Sequence, residues 1–177
     1  MEKIAKFEKV SKEQFVKDWL RTFSGSDRTQ AEAVYEDIQL PRRATKGSAG
    51  YDFFVPSDFT VRPGEQILIP TGVRVRMVDG YVLMLFPRSS LGFKYRLQMN
   101  NTVGIIDSDY YNADNEGHIF CKLTNDTVEY KTVELKKGTG MVQGIFLPFG
   151  ITEDDNAEAV RTGGFGSTTE KAVKTNE

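Results

Sequence analysis

Three short stretches of this chain hold more glycine, hydroxyl and charge than a packed domain needs. The first is Pro87-Arg88-Ser89-Ser90-Leu91-Gly92, directly after an apolar run. An arginine, two hydroxyls and free backbone N–H groups at a strand end suit the binding of an anion. An ordinary polar turn would use the same residues. The second stretch is Gly104-Ile-Ile-Asp107-Ser-Asp109-Tyr110. Carboxylates two apart in an extended segment project to the same side. Standing at the rim of a core, they could bind a metal, take a proton from water, or cap a turn. The third stretch runs from Arg161 to Thr169. Glycines at 163, 164 and 166 let the backbone wrap closely round a ligand, and Arg161, Ser167 and Thr168 supply donors. It lacks the Gly-x-x-x-x-Gly-Lys-[Ser/Thr] pattern of a P-loop. A solvated tail is the plain alternative, against which Phe165 stands out.

The elements that must position these groups are mostly strands. Pro63-Gly64, between Phe59–Val61 and the apolar residues 67–69, suits the centre of a type II turn. Further apolar or alternating runs cover Val73–Met77 and residues 81–86, 119–123, 128–135 and 141–149. Thr71-Gly72, Asp79-Gly80, Asn125-Asp126 and Lys137-Gly138 separate them. Short strands at this spacing predict an all-β sandwich or barrel. Upstream, Ser11-Lys-Glu-Gln14 has the capping-box pattern, and Phe15, Val16, Trp19, Leu20 and Phe23 form one apolar stripe. That predicts a short helix ending near Ser24-Gly25. The expected organisation is an N-terminal helical appendage over residues 1–30, a β domain over 31–150 and a flexible Gly-rich C-terminal tail over 151–177.

Composition narrows the chemistry. The 177 residues, 39% hydrophobic and 27% charged, suit one folded domain. A net charge of -2 argues against direct nucleic-acid binding. The single cysteine, Cys121, allows no intrachain disulfide and no Cys–Cys metal clip. The single histidine, His118, excludes an HExxH zinc helix and leaves a Ser-His-Asp triad only if His118 serves it. His118 reads as a structural or surface residue, and Cys121 as a small apolar group packed on its strand. No apolar run approaches the ~18 residues of a membrane span, and the first residues lack the apolar core of a secretory signal, so the expectation is a cytoplasmic protein with no membrane partner. What remains is the chemistry of carboxylates, arginine, lysine, hydroxyls, backbone amides and a hard cation.

In order along the chain, Ala49-Gly50-Tyr51-Asp52, Pro87-Arg88-Ser89-Ser90-Leu91-Gly92, Asn101-Thr-Val-Gly104-Ile-Ile-Asp107-Ser-Asp109-Tyr110, the segment from Gly138 to Gln143-Gly-Ile-Phe146, and the stretch from Arg161 to Thr168 resemble the five motifs of the trimeric dUTP pyrophosphatase (dUTPase) family, bacterial or phage type. The resemblance covers residues 38–169. It implies a jelly-roll or distorted β-barrel, assembled as a homotrimer whose active sites each draw on three subunits. The implied reaction is hydrolysis of dUTP to dUMP and pyrophosphate by in-line attack of water at the α-phosphorus, with Mg²⁺ on the triphosphate. Its implied purpose is to limit uracil incorporation into DNA and to supply dUMP.

Position by position, the resemblance makes Asp107 the general base and puts Tyr110 under the deoxyribose, where a 2′-hydroxyl has no room. Asn101 and the backbone from Gly104 to Ile106 would read the uracil edge in a hairpin. Arg88, Ser89 and the Ser90 amide would hold the phosphates with Gln143 beside them, and Asp52 would touch the metal through its water shell. In the tail, Phe165 would close over the uracil beside Gly166, while Arg161, Ser167 and Thr168 reach the outer phosphates.

The chain also departs from the family pattern. Ser90 stands where glycine is common. Several extra residues lie between Tyr110 and Gly117, leaving Asp114 and Glu116 without a role. The segment Gly138-Thr-Gly-Met-Val-Gln143 lacks the usual Asp-Arg pair, and the spacing from Arg161 to the glycine pair is short. Two other readings compete: a dCTP deaminase-like or bifunctional nucleotide enzyme, and a dUTP-responsive regulatory module. The related dCTP deaminases carry a catalytic glutamate on the strand after Gly-His-Ile, where this chain has Lys122. A dUTP-responsive regulatory module would instead bind a partner through residues 111–116 and the N-terminal helix.

Overall fold

A computed structural model describes residues 2–159, 161 and 163. Phe165, Gly166, Ser167 and Thr168, which the resemblance places over the ligand, lie outside the described residues. The strands are β1 (Ala5–Lys9), β2 (Arg42–Arg43), β3 (Tyr51–Phe54), β4 (Phe59–Val61), β5 (Gln66–Pro70), β6 (Val73–Met77), β7 (Tyr81–Pro87), β8 (Leu97–Met99), β9 (Gly104–Ile106), β10 (Phe120–Asn125), β11 (Val133–Leu135) and β12 (Gly140–Pro148). The helices are α1 (Lys12–Thr22), α2 (Arg28–Glu36) and α3 (Ser89–Tyr95), and a 3₁₀ turn spans Ser108–Asn112.

Five strands make the sheet that carries the site, in the order β2-β3-β12-β7-β9, and a second sheet is ordered β5-β10-β8. Two antiparallel ribbons, β1-β6 and β11-β4, complete an all-β jelly roll. Alternation sets the core. Leu83 and Leu85 of β7 point inward, as do Cys121 and Leu123 of β10. One apolar cluster joins Phe53, Leu85 and Val142 of the first sheet with Ile69, Leu97 and Leu123 of the second.

The N-terminal residues enter the same core. β1 zips onto β6, with Phe7 opposite Val75. Phe15 is fully buried and Trp19 is 4% exposed, each side chain contributing about 1.5–3 kcal/mol of burial. Residue 30, the expected domain boundary, falls inside α2. Ser11 caps α1 as its pattern predicts, its Oγ accepting from Gln14 N at 3.1 Å. The return half of the capping box is replaced: the Gln14 amide donates to Asp18, and Ser11 N donates to Glu116 Oε2.

Other differences from the sequence reading have local causes. The polar turn expected after Pro87 is the start of α3, a seven-residue helix with no buried residue and therefore no apolar stripe to announce it. The strand expected over 128–135 shrinks to β11, because Tyr130 takes a left-handed φ of 55°. The expected uracil hairpin is not a paired hairpin. β8 pairs with β10 and β9 pairs with β7, so residues 100–103 form a turn between two sheets.

Candidate active site

β7 and its neighbours carry the candidate groups to two places. At the C-terminal end of β7, β12 runs between β3 and β7, setting Gln143 opposite both Asp52 and Phe86. The Gln143 amide donates to the Pro87 carbonyl at 3.3 Å, and Arg88 Nε lies 3.3 Å from Asp52 Oδ1. Two glycines make room for this cluster. A Cβ on Gly140 would stand 2.3 Å from Arg88 Nη1, and one on Gly50 would stand 2.8 Å from Gln143 Oε1. Arg88 is the N-cap of α3 and makes no side-chain cap bond. Ser89 and Ser90 are exposed on the first turn, where helical N–H groups lack intrahelical partners and carry partial positive charge. Ser90 is helical rather than at positive φ, so this turn does not need the glycine common in the family. Guanidinium, hydroxyls and N–H groups beside one carboxylate suit a polyanion accompanied by a hard cation.

The second place lies along β9. It forms the edge of the five-stranded sheet, so its outward backbone donors and acceptors have no strand partner among the described residues and can match the edge of a planar base. Gly104 seats it: a Cβ there would stand 3.1 Å from Leu85 Cβ. Asn101 is exposed on the turn before β9. It also lines a cavity of about 890 Å³ shared with Asp18 of α1, Asn115 and Lys122.

After β9 comes Asp107, N-cap of the 3₁₀ turn with no side-chain cap bond, so its carboxylate is not tied to its own backbone. Arg161 Nη2 donates to Asp107 Oδ2 at 2.6 Å. Arg161 Nε lies 2.9 Å from Asp109 Oδ1, and the guanidinium carbon is 5.7 Å from the centre of the Tyr110 ring. Tyr110 is 2% exposed. Its hydroxyl donates to the His118 carbonyl and accepts from Asn115 Nδ2, both at 2.8 Å. Burial pushes the phenol up to about 12, so it stays neutral at any working pH. Gly117, at φ +69°, permits this fold-back: a Cβ would stand 2.7 Å from the Tyr110 carbonyl.

Arg88, Ser89, Ser90, Gln143 and Asp52 thus form one group, and Asp107, Tyr110 and Arg161 another, with Asn101, Gly104 and Ile106 spread between them. The register sets Leu83 opposite Ile106, which puts Asp107 level with Val82. Arg88 follows six residues later on the same strand line, roughly 20 Å away at 3.3 Å per residue. Within one chain the two groups therefore lie at opposite ends of β7.

Of the two places open to His118, structural or surface, the structure gives the first and makes it a buried link. Gly72 N donates to Nε2 at 2.8 Å, so the ring proton sits on Nδ1 and is given to Asp18 Oδ2 at 2.6 Å. Burial pushes the Asp18 carboxyl up, but the hydrogen bonds from His118 and Gln14 outweigh it and hold the group below the usual range. Nothing in the local sequence pairs residues a hundred positions apart.

Comparison with known proteins agrees with this geometry. The dUTPase family model matches residues 36–169. The chain is 48% identical over 134 residues to the deoxyuridine 5′-triphosphate nucleotidohydrolase of Lactococcus lactis subsp. lactis, covering 74% of this chain and 88% of that protein. To the enzyme of the same name from Hahella chejuensis it is 38% identical over 140 residues, 75% and 88% of the two chains. The crystal structure of dUTPase from Streptococcus mutans superposes with a TM-score of 0.62 at 38% identity, over 83% of this chain and 98% of that one. Family match, relatives and fold agree: the chain belongs to the dUTPase family.

Proposed function

We propose that this protein hydrolyses dUTP to dUMP and pyrophosphate, in active sites assembled from more than one copy of the chain. The observation that carries this reading is the division of phosphate-type and base-type residues between opposite ends of β7. Each group is chemically coherent and incomplete. A neighbouring copy that brings its Arg88 end to this chain's Asp107 end completes the set, as a closed homotrimer does with identical interfaces.

In the completed site, the outward backbone of β9 and Asn101 take the uracil. Tyr110 forms the deoxyribose floor and leaves no room for a 2′-hydroxyl. Arg88, Ser89, the Ser90 amide and Gln143 of the adjoining copy hold the phosphates. Asp107 takes a proton from a water as its oxygen bonds to the α-phosphorus, and the α–β bridging oxygen departs with pyrophosphate. Such a base contributes about 10²–10⁴-fold, and positioning with charge neutralisation supplies most of the remainder. Arg161 occupies the Asp107 oxygen that a water would approach, so it leaves Asp107 when substrate arrives and turns to the outer phosphates. Phe165, Gly166, Ser167 and Thr168 then close over the base and phosphates.

Mg²⁺ fits this donor set. Among the described residues no group of three or more His, Cys, Asp or Glu side chains converges, while Asp52 presents a hard oxygen beside the phosphate cluster. Mg²⁺ is commonly held by substrate phosphates and waters with one or two carboxylates, and Asp52 would hold it through its water shell. When bound, the ion neutralises phosphate charge and orients the triphosphate. No helix among the described residues is long and apolar enough to cross a membrane, and we place the activity in the cytoplasm.

Pyrophosphate release from dUTP, dCTP, dTTP and UTP, with and without Mg²⁺, tests the reading. Release confined to dUTP and enhanced by Mg²⁺ is expected. Ammonia release from dCTP would overturn it.

A further inference from the structure

The family model begins at residue 36, leaving β1 and α1 outside it, and residues 111–116 are longer than the family pattern. The N-terminal addition is fastened at three points to residues 111–116 and to His118 just after them. Tyr111 Oη donates to Glu8 Oε2 of β1 at 2.7 Å, while the Arg74 guanidinium lies 3.6 Å from the centre of the Tyr111 ring. Glu116 grips the start of α1 with both oxygens: Oε2 accepts from Ser11 N and Oε1 from Ser11 Oγ, each at 2.7 Å. Asp18, in the middle of α1, accepts from His118 at 2.6 Å and from Gln14 at 2.8 Å.

All three fastenings fall on the segment that leaves the Asp107 turn, and the third reaches the site. The His118 carbonyl accepts from the Tyr110 hydroxyl. Asn115 Nδ2 donates to that same hydroxyl and lies 3.3 Å from the same carbonyl. The path from α1 to the sugar floor is therefore Asp18, His118, Tyr110, through groups that are 7%, 0% and 2% exposed.

We propose that Asp18 and Glu116 are positioning residues, through which the N-terminal segment fixes the Tyr110 ring and the adjoining Asp107 for the reaction. This rests on the roles given above to Tyr110 and Asp107. A steric floor discriminates only while it stays in place, and an error of about 1 Å can cost as much as ~10²-fold. Packing of Phe15 and Trp19 alone would hold α1 on the core; it would not require a hydrogen-bonded path ending on the tyrosine hydroxyl.

The test uses the full chain at a temperature where every variant is folded, and measures kcat and KM for dUTP and the dUTP:UTP selectivity. Asp18→Ala is expected to lower selectivity about tenfold, chiefly through KM. Asp18→Asn keeps an acceptor oxygen for both His118 and Gln14 and is expected to recover most of it. Glu116→Gln is expected to have a smaller effect in the same direction. Tyr110→Phe cuts the path at its end, so Asp18→Ala should add little in that background. Lower thermal stability with unchanged selectivity and KM in Asp18→Ala and Glu116→Gln overturns the proposal, as does full additivity with Tyr110→Phe. Should Asp18→Ala fail to fold, Tyr111→Phe and Glu116→Gln decide it, and unchanged selectivity in both overturns it. Tyr110→Ala separates the two readings. Unchanged selectivity there removes the sugar-floor role itself, whereas a loss there with none in Asp18→Ala removes only the positioning role.

Discussion

At the scale of single residues, Asp107 and Arg161 are the informative pair. Their contact at 2.6 Å describes a resting carboxylate that substrate must release. Asp107→Asn should retain dUTP binding and cut turnover by at least about 10², checked by nucleotide titration beside steady-state kinetics; near-normal turnover removes Asp107 as the base. A quieter residue is Gly140, whose missing Cβ leaves the space occupied by the Arg88 guanidinium. Gly140→Ala should displace Arg88 and raise KM for dUTP about tenfold, the effect of roughly 1.4 kcal/mol of lost phosphate binding, with little change in fold by circular dichroism. Arg88, Asp107 and Tyr110 stand out in the sequence because each sits in a short motif and carries a side-chain chemistry of its own. The Arg161–Asp107 contact does not, since it joins the start of the tail to a turn 54 positions away.

At the scale of elements, the central strands were readable from alternation and turn residues, and α1 from its cap and stripe. α2, α3 and β1 were not. α2 buries only Ala31 and α3 buries no residue among those described, while β1 is a ribbon edge whose pattern means little until β6 lies beside it. The docking of β1 and α1 depends on charge. Glu8 is held below the usual range by hydrogen bonds from Lys6 and Tyr111. Asp18 and Glu116 are pushed up by burial and held down further by their donors, His118 and Gln14 for Asp18 and Ser11 for Glu116. Carboxylates whose folded values are depressed stabilise fully above their ordinary range, about 4, and lose that contribution as pH falls through the lowered values. Acidification below about pH 4 should therefore loosen the N-terminal segment, read by fluorescence of Trp19, the single tryptophan. Weakening of the same contacts on raising the pH from 5 to 8 would contradict the assignment.

At the scale of the whole molecule, the proposed sharing of the site between copies makes assembly a condition of activity. Asp107→Asn and Arg88→Ala chains should each be nearly inactive alone. Refolded together, they should regain activity, because about a quarter of randomly formed interfaces pair an intact Asp107 with an intact Arg88. Absence of recovery in verified mixed oligomers would place both residues in one chain's site. Cys121 offers a check on integrity. It is fully buried, and burial pushes its thiol up to about 12, so a thiol reagent should modify it at the rate of global unfolding and no faster. The need for a second copy was implied by family resemblance, but no property of a single sequence displays it. The proposal of a shared site rests on the strand register, which sets Asp107 and Arg88 at opposite ends of β7.

The position of β9 at the rim of its sheet has a cost for the solitary chain. Its outward amides, which pair with no strand among the described residues, together with Ile105 at 50% exposure, are what a stray strand from another polypeptide would seek. Freshly synthesised protomers are therefore vulnerable to clumping until that rim is covered, and nucleotide supplied during refolding should raise the recovered yield as well as the activity.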